Sequence, residues 1–389
     1  MKKIVVVLLS VMCLFLLVSC ESSNNNVVKE DGVAFVKLGC SGPLSGDARD
    51  YGEAVRNAAQ LAVSEINASD TKVKFDFRME DDEHDGEKAV SAYSTLYDWG
   101  MQVSLFTVTS APGAAVAKNY DEDKIFALTP SASSTDLIYT SNVNFKGNFQ
   151  MCFTDPNQGV AAADYIAENF KDAKVGIIYK SDDVYSAGIF DKFSEEAKVK
   201  NINIVYDKGA FTNDSSTDFS TLLTAAKDAG VDLLFMPIYY QPASLILKQA
   251  KDINYTPVFF GVDGLDGILE LDGFDKSLAE GVYLLTPFSA TSSDEKTSKF
   301  VNTYKEKYGE VPNQFAADAY DCVYAIHQAL EKIVIDESYD FDNLYNDMIS
   351  QFTSMTFDGL TGKTMTWSET GEIKKSPEAF IIKDGVYSK

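Results

Sequence analysis

Six segments, each just after a run of β-branched or aromatic residues, carry the polar groups of this chain that could do chemistry. Gly39-Cys40-Ser41-Gly42-Pro43-Leu44-Ser45-Gly46-Asp47 leads to Tyr51-Gly52 at the head of a helical stretch. Its glycines permit close approach of the backbone to a ligand, and a plain strand-to-helix turn would not ask for the aromatic at position 51. Val108-Thr109-Ser110-Ala111-Pro112-Gly113 and Thr129-Pro130-Ser131-Ala132-Ser133-Ser134 put hydroxyls and free N–H groups at helix starts. Either segment alone is an ordinary N-cap, but two at one sheet edge favour binding of a carboxylate. The second half of the chain supplies Asp182-Asp183-Val184-Tyr185-Ser186-Ala187-Gly188, Tyr239-Tyr240 and Gly261-Val262-Asp263-Gly264. Hydroxyls, aromatic rings and a carboxylate together match a solute with a carboxylate, an apolar body and an ammonium.

Other chemistry finds little support. No G-x-S-x-G, Walker A, G-x-G-x-x-G, H-E-x-x-H or kinase signature is present. No base can be named beside Ser41, Ser110 or Ser133, so no catalytic residue, enzyme activity or cofactor is expected. His84 lies in an acidic run and reads as solvated surface; His327 reads as a helix residue. The stretch from Asp81 to Gly86 imitates the opening of a calcium loop but has Glu83 at the third position and Ala92 at the twelfth, so no metal is expected. Cys40, Cys152 and Cys322 sit among apolar neighbours and read as small buried hydrophobes; one disulfide is conceivable, a disulfide framework is not.

The elements that must position these groups alternate. Strands are predicted at 33–38, 73–79, 103–108 and 125–128, with helical spacing between them (Ala54, Ala58, Leu61, Ala62, Ile66; Ala89, Tyr93, Leu96, Tyr97). A second series places strands at 175–179, 202–206, 233–236 and 258–260 among helices near 157–170, 184–199, 216–229 and 241–252. A strand at 281–285, helical segments from 294 to 351 and strand-like pieces ending at 380–382 follow. Alternating strands and helices predict an α/β fold of two doubly wound parallel sheets, with ligands beyond the carboxyl ends of the strands.

The amino terminus is an address. Lys2 and Lys3 precede an apolar run from Ile4 to Val18, a charged region followed by a core of signal-peptide length. Leu17-Val18-Ser19-Cys20 resembles the lipobox of bacterial lipoproteins, which implies lipidation of Cys20 and cleavage before it. The Ser- and Asn-rich residues 21–26 suit a flexible tether. The chain carries 34 basic and 58 acidic side chains, a net charge of −24. Such a surface repels phosphate backbones and anionic headgroups, which excludes nucleic acid and leaves the lipid anchor as the only membrane contact. Disorder is excluded by a 45% hydrophobic and 12% aromatic composition.

"PLSGDARDYG" (43–52), "TPSAS" (129–133), "KSDDVYSAG" (180–188) and "PIYYQPASLILKQA" (237–250) resemble, in order and spacing, the leucine/isoleucine/valine-binding proteins of ABC transporters, the type I solute-binding family. The resemblance runs from about Val33 to Phe380. It implies two lobes joined by a hinge of about three crossovers that close over an amino acid or related amphoteric solute, for delivery to ABC permease subunits. Carried over, Ser110 and Ser133 would bind the solute carboxylate, and the Ser131 backbone and Asp263 its ammonium. Tyr51, Tyr185 and Tyr239 would line the side-chain pocket. The implied organisation is a leader at 1–19, a tether at 20–32, one lobe at 33–153 plus 286–358 and the other at 154–285 plus 359–389. A monomer on the outer face of the cell membrane is expected; a sensor component or an interaction lipoprotein is the alternative. Two departures stand out: the family's disulfide would fall near His84 and Thr109, and Asp263 stands where the family often has Glu.

Overall fold

The computed structural model describes residues 28–30, 32–335, 339 and 341–389; the leader, Cys20 and the tether as far as Val27 lie outside them. Two sheets carry the strands. In the first, β2 (Val33–Gly42), β3 (Val73–Asp81), β4 (Val103–Thr107), β5 (Phe126–Thr129) and β6 (Asn148–Gln150) run parallel in the order β3-β2-β4-β5-β6. The end of the expected tether, β1 (Val28–Glu30), pairs antiparallel with the start of β2. In the second, β7 (Val175–Lys180), β8 (Ile204–Phe211), β9 (Leu233–Met236), β10 (Val258–Gly261) and β11 (Tyr283–Thr286) run parallel in the order β8-β7-β9-β10-β11. β4, β5 and β9 are buried at every position, as strands covered on both faces must be.

The edge of the second sheet departs from the all-parallel expectation. β12 (Glu378–Lys383) arrives from the first lobe and pairs antiparallel with β11, and β13 (Val386–Ser388) pairs antiparallel with β12. The connecting Asp384 and Gly385 have φ of 52° and 73°, the left-handed pair that a two-residue hairpin turn requires.

Helices α1 (Arg49–Ala68), α2 (Gly86–Trp99) and α3 (Ser110–Glu122) belong to the first sheet. Helices α4 (Asp155–Asn169), α5 (Val184–Lys200), α6 (Ser220–Asp228) and α7 (Tyr240–Asp252) belong to the second. The chain then returns: α8 (Glu295–Tyr308) and α9 (Gln314–Leu330) pack on α1, and α10 (Leu344–Phe352) packs on β5. The tail up to Ile373 stays with the first lobe. Trp367 stacks edge-on to Phe352 at 4.8 Å and donates its indole N–H to Gln150 O at 2.8 Å. The chain therefore passes between the sheets three times, after β6, after β11 and before β12.

Lys375 stands at the last of these passages. Its ammonium is buried, 2.5 Å from Asp318 Oδ1, and also donates to Thr361 Oγ1 at 2.7 Å and Met151 O at 3.1 Å. One cation thus ties the first and third passages to α9. Cys40, Cys152 and Cys322 are free and buried, as the sequence predicts. Removing one member of a buried pair leaves an uncompensated charge, so Lys375→Met should cost about 3–5 kcal/mol. Adding Asp318→Asn should recover part of that loss. Urea unfolding followed by circular dichroism checks both, and wild-type stability in Lys375→Met would show that the pair does not hold the hinge.

Candidate functional site

Local packing explains why the post-strand segments hold their shape. Phe106 near the end of β4 has a left-handed φ of 58°, where the pairing of β2 with β4 also shifts register. That bulge re-aims the chain before Ser110, the first residue of α3. Ser110 is buried, and its Oγ accepts from the N–H of Ser133 at 3.1 Å and of Ser134 at 3.1 Å. Both bonds use its lone pairs and leave its hydroxyl proton to give away. Ser131 Oγ donates to Val108 O at 2.6 Å, so its side chain is spent on the fold. Ser133 Oγ is buried without a hydrogen-bond partner. The 129–134 segment differs from its prediction in one respect: it opens only a three-residue 3-10 turn, Thr135–Leu137, and not a helix. Its hydroxyls are placed by the Ser110 bonds instead.

The second lobe answers across the cleft. Tyr185 OH donates to Asp263 Oδ1 at 2.6 Å and accepts from Gly264 N at 2.9 Å. Tyr239 stacks on Tyr185 at 4.6 Å, nearly parallel. Tyr51, in the first turn of α1, reaches over from the first lobe; its OH donates to Gly264 O at 2.5 Å and accepts from Tyr240 N at 3.2 Å. Two glycines make this approach possible. A Cβ on Gly52 would meet Pro43 O at 1.9 Å, and one on Gly264 would meet Tyr185 OH at 2.6 Å. Tyr51, Tyr185, Tyr239 and Asp263 therefore form one contact network, with Ser110 and Ser133 on the facing sheet edge.

His84 is a correction. The sequence places it in solvent, yet its ring lies in the cleft mouth, 2.9 Å from Thr109 Oγ1 through Nδ1 and 3.7 Å from Asp183 Oδ2 through Nε2. It also packs edge-on against Tyr239 at 5.5 Å. An acidic run misled because the run bends: Glu83 and His84 both have positive φ, which turns the ring inward. The position where the resemblance implies a disulfide is held here by the His84–Thr109 hydrogen bond. A cavity of about 270 Å³ opens at this mouth, walled by Asp47 and His84 from one lobe and by Lys180, Asp183, Phe211 and Tyr239 from the other.

Sequence reasoning missed Asp155, Gln158 and Phe315. Gln158 Oε1 accepts from Asp263 N at 3.2 Å, and Phe315 packs on Tyr51 at 4.5 Å. Asp155 is buried, and its N–H donates to Ser133 O at 2.9 Å. It too follows a strand end, but β6 has three residues and too little pattern to be seen. Burial pushes the Asp263 carboxyl up to about 7, against the pull of the Tyr185 and Gln158 side chains. Burial also raises Asp155 well above the carboxylate range, with the nearby Ser133 hydroxyl acting the other way and the charges of Asp263 and Asp183 adding to it. Among the described residues no cationic side chain lies within ion-pair distance of Asp155 or Asp263, and no group of His, Cys, Asp and Glu is arranged to hold a metal.

Comparison with known proteins follows this geometry. The sequence profile of the periplasmic binding protein family matches residues 36–377. Over 354 residues the chain is 27% identical to Leu/Ile/Val-binding protein homolog 3 of Brucella melitensis, covering 90% of this chain and 91% of that one. It is 25% identical to the leucine-, isoleucine-, valine-, threonine-, and alanine-binding protein of Pseudomonas aeruginosa, over 76% of this chain and 78% of that one. The crystal structure of the branched-chain amino acid transporter substrate binding protein LivJ of Streptococcus pneumoniae, with isoleucine, superposes with a TM-score of 0.78 at 25% identity, covering 91% and 98% of the two chains.

The buried acids set a pH dependence. Burial raises Asp82, Asp263 and Asp266 to about 7 in the folded chain, against about 4 unfolded. Each holds its proton more tightly when folded. Its contribution is therefore full below the unfolded value and lost as pH rises through about 7. Burial lowers His84 and His327, which opposes this trend only below about 6.5. The solute-free domain should melt at a higher temperature at pH 6.5 than at pH 8. Scanning calorimetry at the two values tests this, and a higher melting point at pH 8 would contradict it.

Proposed function

Because the chain belongs to the periplasmic binding protein family, whose members are non-enzymatic extracytoplasmic solute-binding proteins, we propose that it captures an amino acid or related small amphoteric solute between its lobes and hands it to the membrane subunits of an ABC importer. The observation that carries this reading is the buried Asp263 carboxyl, which no cation neutralises, set opposite the Ser110 and Ser133 hydroxyls. An ammonium supplies the missing charge for Asp263, and a carboxylate accepts from Ser110 and Ser133. Tyr51, Tyr185 and Tyr239 enclose the side chain, and the Ser131 backbone borders the ammonium. A solute that touches both lobes stabilises the closed arrangement over the open one, which is the differential affinity that closure requires.

The division into lobes 33–153 plus 286–358 and 154–285 plus 359–389 belongs to this proposal. It is refined by the packing of the tail as far as Ile373 on the first lobe. Lipidation at Cys20 and action as a monomer belong to it as well. The relatives named for leucine, isoleucine and valine support the amino-acid class, while the shorter Asp263 leaves the side chain and headgroup of the solute open to difference.

Screening the domain from about Asn26 onward against the free L-amino acids should find one that raises its melting temperature; at a thousand times Kd the gain is about 4 kcal/mol. Asp263→Asn should weaken that binding roughly ten- to a hundredfold, the worth of one charge-assisted hydrogen bond. Affinity should also fall as pH drops through about 7, where Asp263 takes up a proton and loses the charge an ammonium needs. Stabilisation by sugars, purines or metal ions alone, or a folded Asp263→Asn with wild-type affinity, would defeat the reading. For the anchor, Cys20→Ala should leave a folded protein that no longer sediments with membranes. Unchanged sedimentation, together with no incorporation of labelled palmitate in the wild type, would refute lipidation.

A further inference from the structure

The two ring nitrogens of His84 face different lobes. The ring projects from the turn between β3 and α2, on the first sheet. Its Nδ1 is 2.9 Å from Thr109 Oγ1 of the same lobe, and its Nε2 is 3.7 Å from Asp183 Oδ2 of the second. Tyr239, also of the second lobe, packs edge-on against it at 5.5 Å.

Both polar partners hold an atom in reserve for the ring. Thr109 is the N-cap of α3, yet its side chain makes no cap hydrogen bond, so its hydroxyl serves Nδ1 instead. Asp183 is the N-cap of α5, and its Oδ1 is taken by Ser186 N at 2.9 Å. Its Oδ2 is the oxygen turned to His84, on a side chain only 3% exposed, where water competes little. Burial lowers the pKa of the ring; Asp183, Asp47 and Asp85 act against this and Lys180 adds to it. The ring is therefore neutral at about pH 7. Its Nδ1 accepts from the Thr109 hydroxyl, which leaves the Nε2–H to point at Asp183. A separation of 3.7 Å exceeds hydrogen-bond length, and an approach of about 0.7 Å would reach it. His84 and Asp183 follow strands of separate sheets, so that gap is set by how the lobes sit. Both residues wall the cavity of about 270 Å³ at the cleft mouth.

We propose that His84 is a latch between the lobes: held by Thr109 on the first, it closes on Asp183 of the second and slows the escape of a captured solute. This rests on the reading that the lobes close over an amphoteric solute, and deepens it. A contact made only when the lobes are together stabilises the closed state alone. It acts on release, while capture precedes it and keeps its rate. His84 is a positioning residue in this scheme and touches no solute.

The test measures capture and release rates by stopped-flow fluorescence, with the best binder among the twenty L-amino acids as probe. The proteins are the wild type, His84→Asn, Asp183→Ser and the double variant, each checked for fold by circular dichroism. Asn tolerates the left-handed φ of 59° at position 84 but is too short to reach Asp183. Ser keeps the cap of α5 and is too short to reach His84. Expected is release about fivefold faster in each single variant, with capture within about twofold of the wild type. The double variant should release no faster than the faster single one, because one contact is lost once. Should His84→Asn not fold, Asp183→Ser decides alone. Wild-type release from either folded single variant, an effect confined to capture, or effects that multiply in the double variant would remove the latch and leave the solute reading standing. Binding of no amino acid to the wild type removes that reading and the latch with it.

Discussion

An ionised carboxylate taken out of water loses several kcal/mol of solvation, and a protein recovers it only with a cation or a set of donors. The cleft of this chain is organised around two carboxylates that have not recovered it. Asp263 has Tyr185 as a donor and Gln158 nearby; Asp155 has no partner at Oδ1. Both are pushed upward by burial. At Asp321 and Asp318 the same chain does supply them, with backbone and hydroxyl donors for the one and the Lys375 ammonium for the other. In the function proposed above, a cationic group from outside completes the site. In a protein with a net charge of −24, the surrounding field favours the approach of that cation.

The lobes meet through hydrogen bonds and through the edge-on packing of Tyr51 on Tyr239 and Tyr240. Tyr51 bonds to Gly264 and Tyr240, Tyr240 OH donates to Asp47 O at 3.1 Å, and His84 faces Asp183. At the passages between the lobes, Lys375 binds Met151, Thr361 and Asp318 together.

The fold class was legible in the chain because burial on both faces leaves a mark that needs no tertiary information. Runs such as Leu233–Met236 are apolar throughout and separated by helical spacing, which only a covered parallel sheet explains. The post-strand rule then pointed to Tyr51, Ser110, Ser131, Ser133, Tyr185, Tyr239 and Asp263, and the structure sets these along the two facing edges. β6 was not legible, since three residues carry no periodicity, and Asp155 was lost with it. His84 was misread because composition reports the polarity of a segment and not the direction in which a left-handed bend turns one ring.

By itself the sequence determined two parallel α/β sheets, an acidic surface and the loops from which candidate binding groups are drawn. These follow from local apolar spacing and charge, which act within a few residues. Tertiary structure alone decided which of those groups remain free. Ser131 and Ser133 are alike in sequence, yet one hydroxyl is consumed by Val108 and the other is left open. Asp155, Asp318 and Asp321 are equally buried acids, and only contacts made across as many as 57 residues of chain separate the two that the fold neutralises from the one it leaves unpaired. Whether a polar atom is satisfied depends on every neighbour that burial brings to it, and that sum exists only once the chain has folded.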